Sequence, residues 1–202
     1  MKERCGIFLL AVMSGIGISI GGTVYLSAEN KVVGSLLFAI GLYLIVLNGF
    51  YLYTGKIGYV VVEEDKGAYS VTLLLTWLGN LAGTAVGAGM LSVTRIAGLG
   101  DRAAELCQVK LGDGPASILI LSVFCGLLMY AAVEGYRQTK NPLILFICVS
   151  VFILSGFEHC VANMFYFFLA GMWSLKAVGY LLIMTVGNSL GGMLIPAVKK
   201  LA

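Results

Sequence analysis

The sequence predicts an all-α polytopic membrane protein, with six spans arranged as two three-span halves of opposite orientation. Three observations carry this reading: an apolar composition, charged clusters that cut the chain into span-sized pieces, and an internal repeat that falls on interruptions in the two longest pieces.

Apolar side chains make up 59% of the 202 residues and charged ones 11%, with a mean hydropathy of +0.97. A soluble domain carries about a quarter charged residues, so lipid rather than water is the solvent for most of this surface. A membrane-spanning helix takes about 20 mainly apolar residues, and six of them leave no soluble domain over. Charged clusters at 29–31, 63–66, 95–110, 134–141, 174–176 and 199–200 bound spans near residues 6–28, 32–62, 70–94, 115–135, 142–171 and 176–198. The chain, 1–202, then reads as a single transmembrane domain, with repeat one about 1–94 and repeat two about 115–202. Lys2 and Arg4 precede an apolar run that reaches Ala28 without a small-residue cleavage site, which suits a retained first span better than a signal peptide.

Several function classes drop out early. The formal charge of +3 is scattered, without the basic stripe that a phosphate backbone demands, so no nucleic-acid partner is expected. Cys5, Cys107, Cys125, Cys148 and Cys160 stand singly, mostly in apolar runs, which is neither a disulfide framework nor a metal-ligand spacing. No metal and no cofactor are expected.

The second and fifth pieces are too long for simple spans, and each holds helix-disturbing residues in its middle. One has Asn48-Gly49-Phe50 and Gly55; the other has Ser155-Gly156-Phe157-Glu158-His159. Gly49-Phe50 recurs as Gly156-Phe157, 107 residues later, and Gly79-Asn80-Leu81-Ala82-Gly83 recurs as Gly187-Asn188-Ser189-Leu190-Gly191, 108 residues later. With three spans per repeat the second copy enters the membrane inverted, so two broken helices meet near its midplane. Lys2, Arg4, Lys66, Arg137, Lys140, Lys199 and Lys200 fall on the side of the termini, against Lys31, Arg95, Arg102, Lys110 and Lys176 on the other. That excess places both termini in the cytoplasm of a multi-pass plasma (inner) membrane protein.

Inside such a bundle an ionisable side chain is costly unless it meets water, a partner or an ion path. His159, the only histidine, stands there beside Glu158. One reading makes His159 a pore residue that offers a hydrogen bond or a proton to a passing anion. The other makes it a neutral residue tying the break together, with Glu158 satisfying freed backbone amides. Leu52-Tyr53-Thr54 falls in the matching break and brings the Thr54 hydroxyl opposite His159, unless it is a plain turn. Phe38, Leu42 and Phe152 lie before the breaks, where they form either dry constrictions or ordinary packing. Lys110 lies in the 94–115 loop, where a cation either concentrates anions at a pore mouth or is simply solvated. Asn80 and Asn188 hold equivalent repeat positions and are expected to bond frayed backbone rather than substrate.

Ser155-Gly156-Phe157-Glu158-His159-Cys160-Val161-Ala162-Asn163-Met164-Phe165 resembles the most diagnostic segment of the formate/nitrite transporter family. The stretches Gly79–Gly83 and Gly187–Gly192, with Leu52-Tyr53-Thr54-Gly55, resemble further signatures of that family, so the similarity covers nearly the whole chain. The resemblance implies an aquaporin-like fold and a homopentamer with a pore in each protomer. It implies a channel or proton-linked transporter, not an enzyme, for small weak-acid anions such as formate, nitrite, acetate, lactate or hydrosulfide. By position, His159 matches the central pore histidine, Thr54 its loop partner and Asn163 a nearby polar pore residue. Phe38, Leu42 and Phe152 match the constrictions, and Lys110 the vestibule lysine. Departures are Tyr53 for the usual phenylalanine, Tyr51 for a frequent acidic residue, and Gly126 where many members carry a pore-facing asparagine. The last implies a wider pore with one hydrogen-bond partner fewer. Relatives often have an amphipathic gating helix before the first span, and the short lead here implies no such gate. The partners expected are the small anion, protons in the proton-linked version, and the lipid bilayer. An aquaporin-like pore for neutral solutes is the alternative, and it has no use for Lys110. A membrane enzyme built on Glu158 and His159 lacks an accompanying nucleophile or cofactor motif, and a mere scaffold has no use for the broken repeat.

Overall fold

Nine α-helices and one short 3-10 segment account for nearly all of residues 2–202, the part that this computed structural model describes; no strand occurs among the described residues. Helices α1 (Lys2–Ser27), α4 (Lys66–Ser92), α6 (Pro115–Thr139) and α9 (Leu175–Leu201) are each long and apolar enough to cross a membrane. The others are α2 (Lys31–Leu47), α3 (Tyr53–Lys56), α5 (Leu99–Gly112), α7 (Leu143–Leu154) and α8 (Cys160–Leu169). Local chemistry sets several ends: Asn30 caps α2 by accepting from the Val32 and Val33 amides, and Asp65 and Ser174 cap α4 and α9 in the same way. Pro115 opens α6, where its missing N–H costs nothing.

The two overlong pieces are each interrupted. α2 stops at Leu47 and helix resumes only at Tyr53, running through α3 into the 3-10 segment Ile57–Val61; α7 stops at Leu154 and α8 starts at Cys160. The stops share one mechanism. Gly49 (φ 66°) and Gly156 (φ 70°) take the left-handed conformation open to glycine, and the Phe50 and Phe157 amides fold back to the Ile45 and Phe152 carbonyls, each at 2.9 Å. The next residues bond sideways: Tyr51 N–H donates to the Leu10 carbonyl of α1 and Glu158 N–H to the Leu121 carbonyl of α6.

Backbone freed in this way must find partners inside the protein, because lipid supplies none. Asn80 of α4 provides them in one half and Asn188 of α9 in the other. The Asn80 carboxamide oxygen accepts from Tyr53 N–H at 2.9 Å, while its nitrogen donates to the Tyr51 and Ala11 carbonyls at 2.8 and 2.9 Å. Asn188 accepts from Cys160 N–H and donates to the Glu158 and Ser122 carbonyls, all at 2.8 Å. Both side chains are fully buried.

Close helix pairing brings these asparagines within reach. α1 lies along α4, and α6 along α9, on glycine contacts. A Cβ on Gly83 would overlap the Val12 carbonyl, and one on Gly191 would overlap the Val123 carbonyl. Gly126 belongs to this set. Expected in the pore wall, it lies instead at the crossing of α6 and α9, where a Cβ would strike the Asn188 carbonyl. A side chain at this position would push α9 away, so its absence lets the helices meet and does not widen a passage.

A second difference concerns residues 94–115, read as a loop. They contain α5, whose buried Ala103 and Cys107 recur at helical spacing with Lys110 on the following turn. α5 seats at the C-terminal end of α1, where Arg102 donates to the Leu26 carbonyl at 2.6 Å, and packs along α8.

Asn188→Ala removes three hydrogen bonds and orphans buried backbone groups, at an expected cost of about 1–3 kcal/mol. Asn80→Ala is expected to cost a similar amount. Thermal unfolding of the purified variants in detergent checks both; a large loss for one and none for the other would refute equivalent roles.

Candidate functional site at the two helix breaks

The breaks meet through one contact. Thr54, in the first turn of α3, lies with its Oγ1 2.8 Å from Nε2 of His159, the residue that caps α8. Thr54 is fully buried and His159 nearly so. His159 Nδ1 accepts from the Ala162 N–H at 3.0 Å, so the proton of the neutral ring resides on Nε2 and is donated to Thr54. The Thr54 hydroxyl hydrogen is left for another acceptor.

Aromatic rings flank this contact. Phe152 stacks on the His159 ring with centroids 5.7 Å apart, and Phe38 meets Phe152 edge to face at 6.0 Å. Leu42, by contrast, borders a cavity of about 880 Å³ that also touches Leu52 and Gly55 and opens past Glu3 and Glu63. Tyr53 turns its hydroxyl to Ser189 of α9 at 2.8 Å. Ser189 already gives its own hydrogen to the Thr185 carbonyl at 2.6 Å, so the tyrosine donates. A phenylalanine at this position could not make that tie.

From the other end α5 delivers Lys110. Its Nζ is 2.6 Å from Oε2 of Glu158, and the same carboxylate oxygen accepts from Asn163 Nδ2 at 2.8 Å. Asn163 also donates to the His159 carbonyl at 3.0 Å, while its Oδ1 is buried without a protein partner. Lys110, Glu158, Asn163 and His159 thus form one connected cluster, and Gly126 is not part of it. No group of three or more metal-ligating side chains occurs among the described residues.

The formate/nitrite transporter family model matches residues 3–201. The chain belongs to that family. It is 30% identical to the nitrite transporter NirC of Salmonella typhimurium over 201 residues, 89% of this chain and 74% of that protein. It is 27% identical to the formate channel FocB of Escherichia coli over 187 residues, 81% of this chain and 66% of FocB; the chain thus spans just under two thirds of FocB. The solved structure of a pentameric formate channel with formate bound superposes with a TM-score of 0.85 at 24% identity, covering 99% of this chain and 97% of that one. These relatives are channels and transporters by name, which sets aside an enzymatic reading of Glu158 and His159.

Sequence reasoning passed over two features of the site. α5 carries a 103, 107, 110 periodicity that marks an amphipathic helix and explains how Lys110 reaches Glu158. Lys56 is the only lysine or arginine well inside a predicted span, and it entered neither side of the charge count.

Lys110→Met leaves the buried Glu158 carboxylate without its cation, with an expected loss of about 3–5 kcal/mol. Combining it with Glu158→Gln should recover a large part of that loss. Equal unfolding temperatures for the single and double variants would show that the pair has no part in stability.

Proposed function

We propose that the chain crosses the membrane six times as two inverted three-helix halves of aquaporin-like form, and that five copies assemble with a separate passage in each. In this reading it is a channel or proton-linked transporter for small monovalent weak-acid anions: formate, nitrite, acetate, lactate or hydrosulfide. Its termini lie in the cytoplasm. The single observation that carries the reading is the buried Thr54–His159 contact joining two helix breaks. Family membership and the likeness to a pentameric formate channel support it.

The chemistry follows from the placement of the side chains. Lys110 attracts the anion to one end of the passage. Its pairing with Glu158 keeps that attraction moderate, as conduction requires, because an ion held too tightly does not leave. Phe38 with Phe152, and Leu42 with Leu52, form two apolar constrictions that strip water from the solute. Between them the free Thr54 hydroxyl hydrogen is a donor to the anion, the His159 N–H exchanges its bond to Thr54 for one to the anion, and the unpartnered Asn163 Oδ1 accepts the O–H of the acid form. One lining therefore handles either charge state. Asn80 and Asn188 hold the breaks open without touching the solute, and Tyr53 anchors α3 against α9.

Reconstituted in liposomes, the protein should pass at least one of the five anions, and His159→Ala should lower that flux roughly tenfold to a hundredfold, the worth of one hydrogen bond to a charged group. Flat responses to all five would refute the anion reading. Neutral-solute flux that is indifferent to Lys110→Ala would point to the neutral pore.

A further inference from the structure

The internal repeat aligns Tyr51 with Glu158 and Lys56 with Asn163, each 107 residues apart. The structure brings the members of each pair into contact. Glu158 and Asn163 touch through a hydrogen bond of 2.8 Å, and Lys56 Nζ lies over the Tyr51 ring, 3.7 Å from its centroid. Both pairs bracket their helix break, so Lys56 stands in the first half where Asn163 of the Lys110 cluster stands in the second.

The two lysines lie at opposite ends of the molecule. Lys110 belongs to α5, which is seated against Leu26 at the C-terminal end of α1. Lys56 lines the cavity of about 880 Å³ that includes Glu3 near the start of α1 and Leu42, Leu52 and Gly55 at its inner end. Lys56 is half-buried, two residues beyond Thr54.

The charges around it decide what it can bind. Two ion pairs form among the described residues, Lys110–Glu158 and Arg137–Glu134, and Lys56 is in neither. Glu134, also in this cavity, is engaged by Arg137 and accepts from Tyr59 at 2.7 Å. Glu3 and Glu63 are exposed at the outer rim, and Arg137 is exposed as well. The inner cavity is left with one ammonium held on an aromatic face, an attraction that fixes its position without neutralising its charge.

We propose that Lys56 is a second anion-binding site, at the end of the passage opposite Lys110, and that it takes the same small monovalent carboxylate-like anions on their way to or from Thr54 and His159. This rests on the functional reading above. Among the described residues no carboxylate lies within ion-pair distance of Lys56, whereas Glu158 holds Lys110, so the two lysines present their charge differently to an arriving anion.

Formate flux into and out of liposomes sorted by orientation tests the proposal, with the half-saturating concentration measured separately from each end. Lys56→Met is expected to raise that concentration about tenfold from the Lys56 end, within the range by which charged clefts enrich ions. The value from the Lys110 end should stay the same, and Lys56→Arg should restore the wild-type value. A second measurement needs no variant: raising ionic strength from about 0.01 M to about 0.15 M with an impermeant salt should weaken wild-type capture severalfold at the Lys56 end, as the Debye length contracts. Unchanged half-saturation in Lys56→Met, or salt-independent capture from that end, overturns the proposal. A wild type that passes no anion at all overturns the functional reading and this site with it.

Discussion

The architecture depends on one requirement: main-chain groups released in the middle of an apolar bundle must be bonded from within the protein. Two helices stop there, at Leu47 and Leu154, and each stop exposes amides and carbonyls that lipid cannot satisfy. One carboxamide per half answers two of them and ties the break to a neighbouring helix with its third bond. An asparagine is suited to this because it accepts and donates at once from a short, rigid side chain. With Asn80 and Asn188 in place the ragged ends become fixed geometry, and Thr54 and His159 are presented to each other at hydrogen-bond distance.

The polar side chains at the centre are arranged so that none of the costly ones stands alone. Glu158 is held by Lys110 and Asn163, and His159 by Ala162 and Thr54. The cluster is asymmetric although the backbone is nearly symmetric. The second half carries the imidazole and the ion pair, whereas the first carries a hydroxyl and a lysine resting on a tyrosine ring.

Much of this was legible in the residues. Gly49-Phe50 and Gly156-Phe157 advertised both breaks, because a left-handed glycine followed by an amide that folds back is a local event. The offset of Asn80 and Asn188 marked them as equivalent, since repeat spacing survives whatever the tertiary contacts. What escaped is tertiary. Gly126 is indistinguishable in one dimension from a glycine that lines a passage, and only the approach of α9 shows that it is a crossing point. The segment holding α5 is polar enough to pass for a loop, and its folding inward depends on a surface that α8 provides. Lys56 stands out in one dimension only as a cation inside a span, and the Tyr51 ring beneath it is a contact made in the folded chain.

The glycines at the helix crossings bear on mobility. Where main chain touches main chain, as at Gly83 against Val12 and Gly191 against Val123, no deformable side chain lies between to absorb sliding. The paired rods are thereby locked, and a rocking movement of one against its mate would first have to prise them apart. In the proposed passage, freedom to open and shut would therefore fall to rotamers, above all those of the rings Phe38 and Phe152, so that the throat could flicker while its walls stand still.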